Sequence, residues 1–176
     1  MKAAPMFSIA SFIALLLGCA TISVNYDYDK EYDFSTFKTY DWMATPQNVR
    51  TDEFLLKRVK SALSRELSAK GTIQAPDNPD FLVAFHGSRE NKIHVTDWGY
   101  SYGPFGRRIG DTRIDINQYE QGTLLVDFVD AKTKQMVWRG IASRVLEPDL
   151  APQEKERLIN EAVTEMMKNF PPDKTR

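Results

Sequence analysis

The first 19 residues place the strongest constraint on the fold, because a segment with their sequence pattern is not part of the folded domain. Lys2 supplies a positive charge, and the apolar run from Phe7 to Leu17 that follows it has no charged residue. A basic residue followed by a short apolar run is typical of a secretory signal. The run is too short to cross a bilayer, which takes about 20 apolar residues. We therefore expect the fold to begin after this segment.

Cys19 ends the apolar run. Leu16-Leu17-Gly18-Cys19 resembles the lipobox of bacterial lipoproteins, in which the cysteine is lipidated and becomes the mature N-terminus. We expect residues 1–18 to be a lipoprotein signal peptide and 19–23 to be a lipidated N-terminus with a short tether. The next residue, Ala20, is not an aspartate, which by resemblance to sorting rules indicates the periplasmic side of the outer membrane. The alternative is an ordinary secreted protein whose cysteine happens to lie at the cleavage point.

The composition limits how the remaining chain is stabilised and what it binds. The sequence has one cysteine, so an intrachain disulfide is excluded even in an oxidising compartment. The net charge of −1 gives no general attraction for nucleic acid, and we expect no nucleic-acid partner. The length after the signal suits one domain, predicted over 24–172 and followed by a polar tail at 173–176.

Alternation of apolar and polar residues predicts several strands in this domain. A turn is expected at Ser88–Asn91, and the strongest local prediction is a hairpin that turns at residues 130–134. The predicted strands are 24–29, 37–42, 81–86, 93–98, 113–119, 123–129 and 135–145.

Two helices are predicted from apolar stripes at helical spacing. The first begins after Thr51 or Asp52 and ends near Lys70, with Gly71 as its C′ residue. The second lies between Pro152 and Pro171. The stripes are Leu55, Leu56, Val59, Ala62, Leu63 and Leu67, and then Leu158, Ile159, Ala162, Val163, Met166 and Met167. The expected fold is α+β: an antiparallel β-sheet with two helices packed on one face.

Four sequence motifs occur in order along this domain: Phe34–Trp42, Gly122–Asp127, Val137–Gly140 and Phe170–Pro172. Together with the lipobox they resemble a family of bacterial envelope lipoproteins known as a domain of unknown function, serial number four-one-three-six. The resemblance implies an α+β domain held by lipid in the cell envelope. It implies no agreed activity, cofactor or catalytic residue.

His86 and His94 are the only histidines. A loop at 89–91 would place them opposite each other, with Cβ atoms about 4.5–5.5 Å apart. Two imidazoles could begin a zinc site, but such sites usually need a third protein ligand. The favoured interpretation is that these are ordinary strand histidines, and no metal site is predicted.

Asp27, Asp29, Glu31 and Asp33 form an acidic cluster near the start of the domain. The segment lacks the glycine turn and terminal glutamate of an EF-hand loop. The charged face of an edge strand accounts for the cluster better than a calcium site.

The segment from Gly99 to Gly110 interleaves glycines with aromatic residues and is predicted to be a long exposed loop. Tyrosine and arginine are enriched at interface hot spots, so the loop is a candidate surface for an envelope protein or glycan partner. The alternative is a flexible loop without a partner. The candidate residues are Tyr100, Tyr102, Phe105, Arg107 and Arg108.

No serine lies in a nucleophile-elbow setting and no phosphate-binding loop is present, so no catalytic residue or cofactor is predicted. In the hairpin, a turn centred on Thr133 would pair Asp127 with Arg139 as a structural ion pair. Of the three tryptophans, Trp138 is expected in the core.

The sequence favours a non-enzymatic, periplasm-facing lipoprotein, bound to the bilayer through acylated Cys19 and acting as a binding or envelope-assembly module. A carrier of a small lipid or glycan ligand and, with less support, an envelope hydrolase are the alternatives. A deep apolar cavity would favour the carrier, and a filled core with an exposed aromatic patch would favour the binding module.

Overall fold

The computed structural model describes residues 22–44, 52–97, 114–147 and 149–173. Six strands form one sheet, and two helices contact it. The strands are β1 (Ser23–Tyr28), β2 (Thr39–Trp42), β3 (Ile73–Gln74), β4 (Phe81–Asp97), β5 (Ile114–Asp130) and β6 (Met136–Leu146), and the helices are α1 (Glu53–Ala69) and α2 (Pro152–Met167).

The strand order in the sheet is β1-β6-β5-β4-β2-β3. The β1–β6, β6–β5 and β5–β4 pairs are antiparallel. The short β2 is parallel to both β3 and β4. β2 can be parallel to β4 because α1 lies between these two strands in the sequence. The helix carries the chain back to the end of the sheet at which β2 began. The predicted α+β class is confirmed, with these parallel pairs as the departure from an antiparallel sheet.

β4 and β5 are longer than predicted, with 17 residues each. The turn expected at Ser88–Asn91 is wrong, because β4 continues through it and pairs with β5 from Phe81↔Asp130 to Asp97↔Ile114. For the same reason, the strands predicted at 113–119 and 123–129 are one strand. Within β5, only residues 120–129 pair with β6. Residues 114–119 of β5 and the residues of β4 opposite them therefore extend as a two-stranded ribbon.

The β5–β6 hairpin has the predicted register. Phe128 pairs with Trp138 and Asp127 with Arg139. Val126, Phe128 and Trp138 are almost fully buried on the helix side of the sheet, as the alternation predicts.

Both helices begin and end close to the predicted residues. The Asp52 side chain accepts hydrogen bonds from the backbone N–H groups of Phe54 (2.9 Å) and Leu55 (3.2 Å), which caps α1. Gly71 follows the helix with a φ of 79°, a conformation that glycine adopts without penalty. The two helices run in the same direction, because the Thr164 hydroxyl donates to Glu66 (2.7 Å) and Arg65 donates to Asn160 (3.3 Å).

An aromatic cluster fills the space between the sheet and the C-terminal ends of the helices. Phe81 stacks on Phe37 with ring centroids 4.2 Å apart, and Phe128 stacks on Trp138 at 4.7 Å. Phe170, just after α2, meets Phe128 edge-to-face at 4.6 Å. We call this region the aromatic end.

Candidate functional site

A cavity of about 780 Å³ lies between the sheet and the N-terminal halves of the two helices. Its size falls within the range of about 300–1,000 Å³ that is usual for small-molecule sites. Strands β4, β5 and β6 and both helices contribute to its lining. The apolar part of the lining consists of Ile22, Leu55, Gly87, Gly122, Leu124, Ala142, Leu146, Leu150, Leu158, Ile159 and Ala162.

Small residues occupy several of the lining positions between the sheet and the helices. Gly87, Gly122, Ala142 and Ala162 lie where the aromatic end of the same layer has phenylalanine and tryptophan. A Cβ atom added at Gly87 would lie 2.7 Å from Leu55 Cδ2, and one at Gly122 would lie 3.0 Å from Leu146 Cδ1. The leucine side chains therefore occupy the space that these two glycines leave open.

Charged side chains of both signs surround this apolar lining. Two of the carboxylates are already engaged: Asp52 caps α1, and Glu120 pairs with Arg89 at 3.8 Å. The first turn of α2, beside Leu150 and Lys155, has no side-chain cap and contains the acidic Glu154, which pairs with Arg157 at 2.6 Å. The basic lining residues are Arg58, Arg89, Arg144 and Lys155, and the acidic ones are Asp52, Glu120, Glu147 and Asp149.

Ile22 connects the cavity to the N-terminal part of the chain. It is the first described residue, it precedes β1 and it lines the cavity. Three residue steps separate it from Cys19, which is at most about 11 Å of extended chain. The cavity wall therefore lies close to the predicted lipidation position.

Several predicted site residues lie outside the described residues. They are Cys19 and the candidate residues of the aromatic-rich loop from Gly99 to Gly110. The loop residues concerned are Tyr100, Tyr102, Phe105, Arg107 and Arg108.

The two histidines do not meet. Both lie on β4, where His86 pairs with Leu125 and His94 pairs with Asn117. Eight residues of strand separate them, which is about 26 Å at 3.3 Å per residue. Among the residues that the structure describes, no group of three or more His, Cys, Asp or Glu side chains is arranged to hold a metal ion.

The acidic cluster begins on β1, an edge strand of the sheet, as predicted. Asp27 lies opposite Arg139 of β6, which also forms two hydrogen bonds with Asp127 of β5, at 2.6 and 2.8 Å. The hydrogen bond with Asp127 raises the pKa of the Arg139 guanidinium. Arg139 and Asp127 lie on the face of the sheet away from the helices, outside the cavity.

A polar network beside the aromatic end was missed by sequence reasoning. The Asp130 carboxylate accepts hydrogen bonds from the Tyr32 hydroxyl and from the backbone N–H groups of Lys132 (2.8 Å) and Thr133 (2.6 Å). Burial and the bond to Asp130 raise the pKa of Tyr32 to about 12. Asp130 could have been recognised in the sequence, because it directly precedes a predicted turn. Asp side chains at such positions commonly accept hydrogen bonds from backbone N–H groups two or three residues later.

Asp80 has a similar role at the start of β4. Its carboxylate accepts from the backbone N–H groups of Lys38 (3.0 Å) and Thr39 (2.8 Å) and from the Thr39 hydroxyl (2.9 Å). Burial raises the pKa of Asp80, but these hydrogen bonds outweigh it and the pKa is lowered overall. The same balance lowers the pKa of Asp130. Both carboxylates accept several hydrogen bonds from neighbouring backbone and hold it in place.

Within the described residues, no helix combines the length and the apolar character that a membrane span requires.

Among solved structures, the chain is similar to a PDZ domain protein from Parabacteroides distasonis ATCC 8503, at 15% identity and a TM-score of 0.59. The match covers 86% of this chain but only 36% of that one, so the two share a fold over about a third of the larger protein. The chain also matches PelC from Paraburkholderia phytofirmans, with 12% identity, a TM-score of 0.47 and coverage of 86% of this chain and 98% of that one. A minor lipoprotein from Acinetobacter baumannii matches at 11% identity and a TM-score of 0.40, over 76% and 92% of the two chains.

No relative was found among curated protein sequences. The family model described as "Domain of unknown function (DUF4136)" matches residues 24–172. This match agrees with the resemblance seen in the sequence motifs. The chain therefore belongs to the DUF4136 family.

Proposed function

We propose that the protein is a lipid-anchored, periplasm-facing binding protein that holds an amphiphile in the cavity. The observation that carries this proposal is an open cavity of about 780 Å³ whose lining combines apolar and charged residues. Of the functions that the sequence left open, a small-ligand carrier is the one that needs such a cavity. The apolar lining suits one acyl chain, and the charged residues suit a polar head.

A phosphate head matches the charges better than a neutral head. The four basic lining residues can pair with a phosphate, and the four carboxylates of the lining can pair with a cationic group on the same head. The role we propose is binding, not catalysis, because each engaged carboxylate already serves a structural contact.

The ligand is tested with lysophospholipids, using the Cys19→Ala chain so that no acyl group of the protein competes. We expect saturable binding of a lysophospholipid with a phosphate head and weaker binding of a monoacylglycerol with the same chain, measured by calorimetry. Ala162→Phe places a ring in the cavity and should weaken binding at least about tenfold, which corresponds to about 1.4 kcal/mol. Glu156→Phe, on an exposed side of the same helix, is the matched control. Equal affinity in wild type and Ala162→Phe would refute the proposal.

The anchor is tested separately. The Leu16–Cys19 sequence supports acylation of Cys19, and two acyl chains make membrane attachment durable. We expect Cys19→Ala to abolish acyl labelling and to release the protein from the membrane fraction. A variant that remained acylated and membrane-bound would show that Cys19 is not the anchor.

A further inference from the structure

The outer part of β4 presents an unpaired edge. On the side away from β5, strand β2 covers only the three residues from Phe81 to Val83. No other described strand pairs with residues 84–97 on that side. A ribbon of two strands is at best marginally stable in water, and an open strand edge is a template for another strand.

The direction of the backbone groups along this edge follows from one hydrogen bond. The Val83 carbonyl accepts from the Met43 N–H (2.9 Å), so it points toward the β2 side. The β4–β5 register has no shift over its whole length, and backbone groups alternate in direction along a strand. The N–H and C=O groups of Arg89, Asn91 and Ile93 therefore point out of the open edge.

We propose that this edge pairs with the same edge of a second copy of the chain, antiparallel, with the two-fold axis at Asn91. A two-fold contact uses the same surface on both copies. In this register Asn91 lies opposite Asn91 of the second copy, and Arg89 lies opposite Ile93. All of these residues have outward backbone groups, so the ladder of hydrogen bonds is complete.

The charges on the strand select this register over its neighbours. Lys92 forms an ion pair with Glu90 of its own chain at 2.6 Å. With the axis at Asn91, Glu90 also lies opposite Lys92 of the second copy, and this attractive pair occurs twice. Moving the axis by one residue places Glu90 opposite Glu90 or Lys92 opposite Lys92. Like charges directly opposite each other on neighbouring strands are destabilising.

The same pairing covers an exposed apolar side chain. Ile93 is 62% exposed in the single chain. The Arg89 side chain is also mostly exposed, and its methylene groups would cover Ile93 of the second copy. Arg89 also lines the cavity, but Glu90, Asn91 and Lys92 do not, so variants at these three positions test the edge apart from the proposed ligand.

Charge reversal tests the register directly, on the full chain extracted in detergent and examined by sedimentation equilibrium. Glu90→Lys or Lys92→Glu alone creates two repulsive pairs and should weaken self-association at least about tenfold. Combining Glu90→Lys with Lys92→Glu restores both attractive pairs and should return association to within about threefold of wild type. A monomeric wild type, or single variants that associate as wild type does, would overturn the proposal.

Asn91→Pro tests the backbone part. Proline removes the outward N–H at the axis but no hydrogen bond to β5, and it is tolerated on an open edge. Asn91→Ala keeps the N–H and is the matched control. We expect Asn91→Pro to be monomeric with an unchanged far-UV spectrum and Asn91→Ala to associate as wild type does. Association of a folded Asn91→Pro chain would exclude this edge as the interface.

Discussion

The layer between the helices and the sheet is packed with aromatic side chains at one end and contains a cavity at the other. At the aromatic end, Phe81, Phe128 and Trp138 are almost fully buried. At the N-terminal ends of the helices, a cavity of about 780 Å³ remains. Two parallel helices on one sheet provide room at both ends, and side-chain volume decides whether the room is filled. We expect stability to be concentrated at the packed end, while the other end keeps open space.

The largest loss of stability is expected where the layer is full. Phe81 has no exposed surface and packs against Phe37, Phe128 and Tyr40. Phe81→Ala should lower the free energy of unfolding by about 3–5 kcal/mol, because it removes a large side chain and leaves a cavity. Urea denaturation followed by circular dichroism measures this change.

Leu55→Ala is the matched change at the cavity. Leu55 is partly buried and lines a space that is already open, so its removal creates little new cavity. We expect a loss of about 1 kcal/mol, below the usual range for a fully buried leucine. A loss as large as that of Phe81→Ala would mean that the two ends contribute equally to stability.

An effect smaller than that of Phe81→Ala is expected at Asp80, which ties the start of β4 to Thr39. Asp80→Ala leaves two backbone donors unsatisfied and should cost about 1–3 kcal/mol. Because the pKa of Asp80 is lowered in the folded state, its contribution is present above its unfolded pKa of about 3.9 and is lost as the pH falls through the lower folded value. Thermal melts of wild type and variant between pH 7 and pH 2.5 should therefore converge at the acid end. A gap that stays constant with pH would show that the ionised carboxylate is not responsible.

The smallest effect is expected on the outer face of the sheet, away from both ends. The Asp127 and Arg139 side chains are 16% and 37% exposed, and such pairs contribute about 0.2–1 kcal/mol. Asp127→Asn should reduce stability by that amount and should leave lysophospholipid affinity unchanged. If ligand affinity fell in a fully folded Asp127→Asn variant, the outer face would belong to the functional site.

The sequence predicted the parts of the fold in which one face is buried. The Asp127↔Arg139 register followed from alternation, because the neighbouring register would place Arg139 among core residues. The same reasoning failed at Ser88–Asn91. Residues 89–91 are exposed, so they need no apolar alternation and resemble a turn in composition.

The cavity could not be predicted because it is defined by volume that side chains do not fill. Gly122 and Ala142 are compatible with a packed core or an open one, and only the positions of Leu146 and α2 decide between them. The dense glycine and aromatic pattern after Trp98 was the more conspicuous signal, yet it lies outside the described residues. A run of small residues on an otherwise apolar face is the weak signal that the sequence did contain.

The position of β1 has a consequence for the order in which the molecule folds. β1 is the first strand to be synthesised, but it pairs with β6, with Ser23 opposite Ser143 and Tyr28 opposite Trp138. Contacts between residues so far apart in the chain close slowly, because the intervening loop must first be ordered. The β5–β6 hairpin has to form before β1 can join it. Since Ile22 adjoins β1, we expect the part of the cavity wall that Ile22 forms to be completed late in folding.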